Sequence, residues 1–188
     1  MKTEVKTEST VMYVLRIALT LLIITAVVAA ALAGVNSITK PIIDQLTAQK
    51  TQKAIEAVLP GGYDTEITDY EDASGLVSRV YQGANGYALE VKPVGFDSAI
   101  TMMVGVDTEG KVLGISIVEH SETAGLGAVA AASTSAGESF RSQFVGVSGS
   151  VSVSKDGGEI DALTGATITS RAVCNGVSAA LECVASLG

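Results

Sequence analysis

The densest run of chemistry-bearing side chains is Asp161-Ala162-Leu163-Thr164-Gly165-Ala166-Thr167-Ile168-Thr169-Ser170. Thr164, Thr167, Thr169 and Ser170 place hydroxyls around a glycine-containing turn, and Gly165 and Ala166 leave room there for a bulky group. A turn of this kind opens a helix, whose first N–H groups lack intrahelical acceptors and whose dipole favours an anion. The residues therefore make a phosphate site. The plain alternative is an ordinary capped helix with Thr169 or Ser170 as N-cap. A second run, His120-Ser121-Glu122-Thr123-Ala124-Gly125-Leu126-Gly127, combines a carboxylate, a hydroxyl and a flexible backbone. A lone histidine at a strand end, such as His120, is more often structural than a proton-transfer group.

Other chemistries are excluded by what is missing. Two cysteines and one histidine make no metal-ligand set, and no cysteine cluster is present for an iron–sulfur centre. Cys174 and Cys183 lie nine residues apart on one helical stretch, about 13 Å along its axis, and cannot bridge within one molecule. They read as small apolar core residues. No G-x-G-x-x-G follows a strand, so nicotinamide binding is not offered. No catalytic residue stands out.

These runs need elements to position them. The chain has 188 residues, net charge −8 and mean hydropathy +0.42. Residues 17–35 are uncharged, interrupted only by Thr20 and Thr25, and at about 1.5 Å per residue they cover the roughly 30 Å of a bilayer core. A signal peptide has a shorter apolar core, so an uncleaved anchor fits better. Lys2, Lys6 and Arg16 precede the span, Glu4 and Glu8 weigh little in orientation, and Lys40, Lys50 and Lys53 follow it. The reading is a single-pass cell-membrane protein: a cytoplasmic N-terminus at 1–14, an anchor helix at 15–37, a linker helix at 38–62 and an extracytoplasmic domain at 63–188. From residue 36 onward nine Lys/Arg face eighteen Asp/Glu, and so acidic a domain is no nucleic-acid binder.

The linker helix is expected to start near Thr39 with Pro41 in its first turn and to stop at Pro60-Gly61-Gly62. Strands are predicted at 76–81, 86–91, 99–106 and 112–119, with a hairpin turn at Asp107-Thr108-Glu109-Gly110. Phe140, Phe144 and Val145 suggest a short helix packed on the sheet, and a brief strand is predicted at 151–153 before the polar turn Lys155-Asp156-Gly157-Gly158. Val173, Val177, Leu181 and Val184 recur at helical intervals. The fold class is α+β: one N-terminal transmembrane helix, then a twisted antiparallel meander packed with helices.

The segment from Asp161 to Thr169 resembles the D-x-x-[ST]-G-A-T-x-[ST] signature of proteins that carry FMN by a phosphoester on threonine. The stretch 155–173 is similar to the G subunit of the Rnf electron-transport complex and to its relative, the C subunit of the sodium-pumping NADH:quinone reductase. Residues 120–127 resemble the family's E-T-P-G-L-G flavin loop, with Ala124 in place of proline. Short length favours the Rnf protein. The resemblance implies an FMN-binding domain with FMN covalently attached to Thr167. The neighbours Asp161, Thr164, Gly165, Ala166, Thr169 and Ser170 would form the attachment motif, and Glu122, Thr123, Gly125, Leu126 and Gly127 would contact the flavin. It implies an electron-transfer subunit of a ferredoxin:NAD oxidoreductase that moves sodium or protons. Its partners would be other membrane and peripheral subunits, including a second covalent-FMN membrane subunit and iron–sulfur subunits, with a flavin transferase for maturation. The alternatives are a membrane-tethered flavin-binding sensor, or an assembly module in which the threonine motif is only a helix cap.

Overall fold

The computed structural model describes residues 10–187, with side chains from Met12. Most of the expected N-terminal tail, with Lys2, Glu4, Lys6 and Glu8, lies outside the described residues. Two compact units divide the chain, one ending at Ala48 and one beginning at Gln49.

Helix α1 spans Thr10–Val58. In the first unit its apolar side chains, among them Leu22, Val27 and Leu32, are exposed to the surroundings, with none of the most apolar window buried by protein. A helix this apolar and this uncovered is long enough to cross a membrane. Thr20 and Thr25 return their hydroxyl protons to carbonyls of the preceding turn, on Arg16 and Leu21, so neither leaves an unsatisfied donor in apolar surroundings.

The helix expected to restart at Thr39 does not do so: Pro41 lies inside the continuous α1. Proline removes one rung, the bond its N–H would give Ser37, while the ladder on either side persists. The expected stop is found, since α1 ends before Pro60 and Gly61-Gly62 takes positive φ.

In the second unit a five-stranded antiparallel meander follows: β1 Thr65–Ile67, β2 Val77–Gly83, β3 Gly86–Val91, β4 Thr101–Asp107 and β5 Val112–Glu119, in that spatial order. β1 pairs with β2 through Thr65–Ile67, a short polar edge strand with no apolar alternation to announce it. The remaining strands alternate between two apolar faces. Val80, Leu89, Val91, Met102, Val104 and Ile115 join one core, while Tyr81, Ala88 and Met103 join the other. The second face is covered by Ala54, Ile55 and Val58 from the last turns of α1. β4 is therefore buried along nearly its whole length, which is why it reads as an unbroken apolar run. Gly105 in β4 allows this cover, because a Cβ there would stand on the Val58 carbonyl.

The first face is covered by two helices. α2, Ser135–Ser142, is capped by Thr134, whose hydroxyl oxygen accepts from the Gly137 N–H at 3.3 Å. It carries Phe140, which meets Phe144 edge-on at 5.4 Å just past the helix end. Val145, expected on this packed face, is instead exposed, beyond the end of α2 at Ser142. α3, Thr167–Leu187, buries Val173, Val177, Leu181 and Val184 as the periodicity predicts. The predicted strand at 151–153 does not form. Val151 gives its N–H to Ser178 Oγ of α3 at 2.8 Å, and Val153 makes only an isolated parallel bridge to Ile160. A side chain of the helix satisfies the backbone that a neighbouring strand would have served.

Cys174 and Cys183 are free and buried on α3. Burial pushes the Cys174 thiol up to about 11, so it stays protonated and unreactive at neutral pH. Iodoacetamide at pH 8 should label neither cysteine on the folded chain in detergent within minutes and both after denaturation, as read by intact mass.

Candidate functional site

Three loops meet at the start of α3 around a cavity of about 310 Å³, at the small end of the range for organic ligands. The first is the tight turn between β3 and β4, closed by Gly95 N–H to the Ser98 carbonyl and Ile100 N–H to the Pro93 carbonyl, each 2.8 Å. It presents Phe96 to the cavity. The second follows β5 and contributes Glu122, Thr123, Leu126 and Gly127. The third is the turn Gly165–Ala166 leading into Thr167, Ile168 and Thr169.

One carboxylate joins all three. Glu122 is 7% exposed. Its Oε1 accepts from the N–H of Phe96 at 2.9 Å and of Asp97 at 3.3 Å, and its Oε2 accepts from the buried Thr169 hydroxyl. Gly127 lies against this bond, since a Cβ there would collide with Thr169 Oγ1 and Glu122 Oε2. His120 Nδ1 accepts from the Glu122 N–H at 3.2 Å, which gives it the structural part expected of it. Beyond the cavity, Arg141 of α2 donates to the carbonyls of Ala130 at 2.6 Å and Ala132 at 3.1 Å, pinning the 3₁₀ turn Gly127–Ala131.

The opening of α3 is stapled by Ser170. Its hydroxyl accepts from the Leu163 N–H and donates to the Ala166 carbonyl, both at 3.0 Å. The Ala166 carbonyl also takes the first helical bond, from the Ser170 N–H at 3.0 Å. Ala166 is thus the capping position, and Gly165 before it holds φ +74°. The alternative reading, a cap at Thr169 or Ser170, does not hold. Both lie inside the first turn, because Thr169 is drawn inward by Glu122 and Ser170 by the turn it staples. The N–H groups of Thr167, Ile168 and Thr169 precede the first helical bond and point toward the loop end of the helix.

Thr167 is half-buried on the cavity wall, and its Oγ1 accepts from Lys155 Nζ at 3.2 Å. Next to Lys155, Asp156 is gripped by Arg171 through two bonds of 2.6 and 2.7 Å. That grip holds the Asp156 carboxyl below the usual carboxylate range.

Of the residues singled out from the sequence, Thr167, Thr169, Gly165, Ala166, Glu122, Thr123, Leu126 and Gly127 line one cavity. Asp161, Thr164, Gly125 and Ser170 do not. Ser170 is fully buried under the turn, and Asp161 is exposed with its peptide held at both ends by Gln143, at 2.7 and 3.3 Å. Phe96, Lys155 and Ile168 also line the cavity and were not singled out. Phe96 is 66% exposed, and an aromatic after glycine in a loop was its only signal. Lys155 read as part of a polar turn. Among the described residues no cluster of three or more His, Cys, Asp or Glu could hold a metal ion.

The lining suits a flavin mononucleotide. Phe96, Leu126 and Ile168 offer apolar area for a flat ring system. Beside them a hydroxyl, an ammonium and the free N–H groups of a 21-residue helix suit a phosphate. A family model described as an FMN-binding domain matches residues 95–182, from the Phe96 turn to near the end of α3. The chain is 32% identical over 203 aligned positions to the G subunit of the Na(+)-translocating ferredoxin:NAD(+) oxidoreductase complex of Acetobacterium woodii, with 97% of each chain covered. It is 30% identical to the G subunit of the ion-translocating oxidoreductase complex of Methanosarcina acetivorans, over 91% of this chain and 94% of that one. It is 38% identical to the protein of the same name from Photorhabdus laumondii, over 85% and 84%.

Replacing Glu122 by alanine strands two backbone N–H groups and a buried hydroxyl. Glu122→Ala should lower stability by about 1–3 kcal/mol, whereas Glu122→Gln, which keeps an acceptor for the backbone pair, should cost less. Denaturant melts of the full chain in detergent compare the two.

Proposed function

The chain belongs to the family formed by the G subunits of ion-translocating oxidoreductase complexes and carries its FMN-binding domain. From that premise we propose that it relays electrons through FMN joined by a phosphoester to Thr167, in a Rnf-type ferredoxin:NAD complex. The observation that carries this reading is the place of the Thr167 hydroxyl. It opens α3, it is only half-buried, and it lines a cavity that Phe96, Leu126 and Ile168 line as well. FMN supplies the electron-accepting and electron-donating ring; the protein supplies position and electrostatics.

The residues divide the work by chemistry. The free N–H groups ahead of the first helical bond favour the phosphate's negative charge. Glu122 fixes the distance between the loop carrying Leu126 and the helix carrying Ile168. Phe96 and Leu126 give apolar contact to a ring while remaining exposed themselves, so a ring held there keeps an edge that another protein can approach. A relay needs such an edge, and it needs no substrate pocket. A tether also keeps the cofactor at high effective concentration in a compartment where free FMN would be diluted.

A threonine hydroxyl is a weak nucleophile. Esterification of Thr167 Oγ1 would therefore need a flavin transferase, which would supply an activated flavin nucleotide with its leaving group and a base for the hydroxyl proton. Residues 15–37 would anchor the chain once across the cell membrane, with the N-terminus cytoplasmic and the flavin domain outside. Its partners would be the complex's other membrane and peripheral subunits, including a second covalent-FMN membrane subunit and iron–sulfur subunits. No nucleic acid is involved.

Intact mass of the chain, made with its transferase, should show one FMN adduct, and denatured protein should keep a fluorescent band in a gel. Thr167→Ala should lose both, yet fold, at a cost of no more than about 1 kcal/mol, the scale of its hydrogen bond with Lys155. An unmodified wild-type chain from cells with active transferase would refute the attachment. Copurification with other membrane subunits separates a relay from an isolated sensor.

A further inference from the structure

We propose that Lys155 is the counter-charge of the flavin phosphate, a positioning residue that holds the phosphodiester at Thr167; this rests on Thr167 being the attachment point. Lys155 Nζ already touches Thr167 Oγ1, at 3.2 Å, and lines the same cavity. Its place is built by its neighbours. Ser154 N–H donates to the Ile160 carbonyl at 2.8 Å, and Ile160 N–H returns a bond to Ser152 at 3.3 Å, which anchors the short 3₁₀ turn Ser154–Asp156. Asp156, one residue on, is forked by Arg171, and Arg171 stands four residues along α3 from Thr167, on the same face.

The pairing decides which charge is left over. Asp156 is taken up by Arg171, and among the described residues no carboxylate lies within ion-pair distance of Lys155. A lone ammonium on a neutral hydroxyl gains little that water could not give. Once Oγ1 is esterified, the phosphorus would be bonded to that oxygen, and the charged non-bridging oxygens would lie two bonds beyond the atom Lys155 already reaches. The ammonium would then meet an anionic acceptor in place of a neutral one, and the contact would become an ion pair as well as a hydrogen bond. The helix start would supply N–H groups to the phosphate, and Lys155 a full charge.

The test uses the full-length chain with its flavin transferase, comparing wild type, Lys155→Gln, Lys155→Arg and, as a remote control, Lys111→Gln. Adduct formation is followed by intact mass over time, and the tethered phosphate by 31P NMR on loaded protein. Lys155→Gln should slow loading about ten-fold, the scale of one charged hydrogen bond, and shift the 31P resonance toward that of the denatured chain. Lys155→Arg should restore most of both, and Lys111→Gln should match wild type. Either readout unmoved in Lys155→Gln, or no rescue by arginine, overturns the role of Lys155 while leaving the attachment intact. A wild-type chain that takes no adduct overturns the attachment and this inference with it.

Discussion

A single buried carboxylate organises the site. Removing the Glu122 charge from water is costly unless every lone pair finds a donor, and the donors come from segments far apart in sequence: two backbone N–H groups of the Phe96 turn and the hydroxyl of Thr169, 47 residues away. Because the charge cannot be left half-satisfied, the three segments must arrive together. The gap between loop and helix is then as narrow as Gly127 allows. The cavity is a by-product of that closure, bounded by whatever lies just outside the Glu122–Thr169 bond.

The rest of the domain holds those segments still. β3 to β5 are packed on both faces, so the loops leaving their ends start from rigid strands. α3 lies along the first face with much of its length buried, and its opening turn is stapled by Ser170 rather than left to fray. Arg141 of α2 ties the far end of the 121–132 loop by its carbonyls. Sites set on such supports keep their geometry better than sites on free loops.

The sequence was most readable where apolar spacing was strong. β3 and β5 have the bounds that alternation suggested, the Asp107–Gly110 turn joins β4 to β5, and the buried stripe of α3 follows its helical period. It misled where a local signal competed with a long-range one. Thr39 and Pro41 look like a helix start, yet a proline removes only one bond from a helix that continues on both sides. Val151-Ser152-Val153 looks like a strand, but Ser178 of α3 took its backbone. Within the site, the motif residues Glu122 and Thr169 could be named from sequence, but their bond could not, since nothing local links them. Phe96 and Lys155 stayed hidden for the same reason: each reaches the cavity only through a turn whose shape depends on partners elsewhere, Glu122 for one and Arg171 for the other.

The hydrogen bonds at the mouth of α3 leave Thr167 out of the scaffolding. Ser170 staples the turn, Ala166 carries the first carbonyl, Thr169 locks to the loop, and the Thr167 oxygen accepts a hydrogen bond from an exposed lysine. Chemistry at that oxygen breaks no bond on which the domain relies. Attachment at Thr167, as proposed, would therefore need no unfolding step, because the folded chain already presents its hydroxyl on the cavity wall.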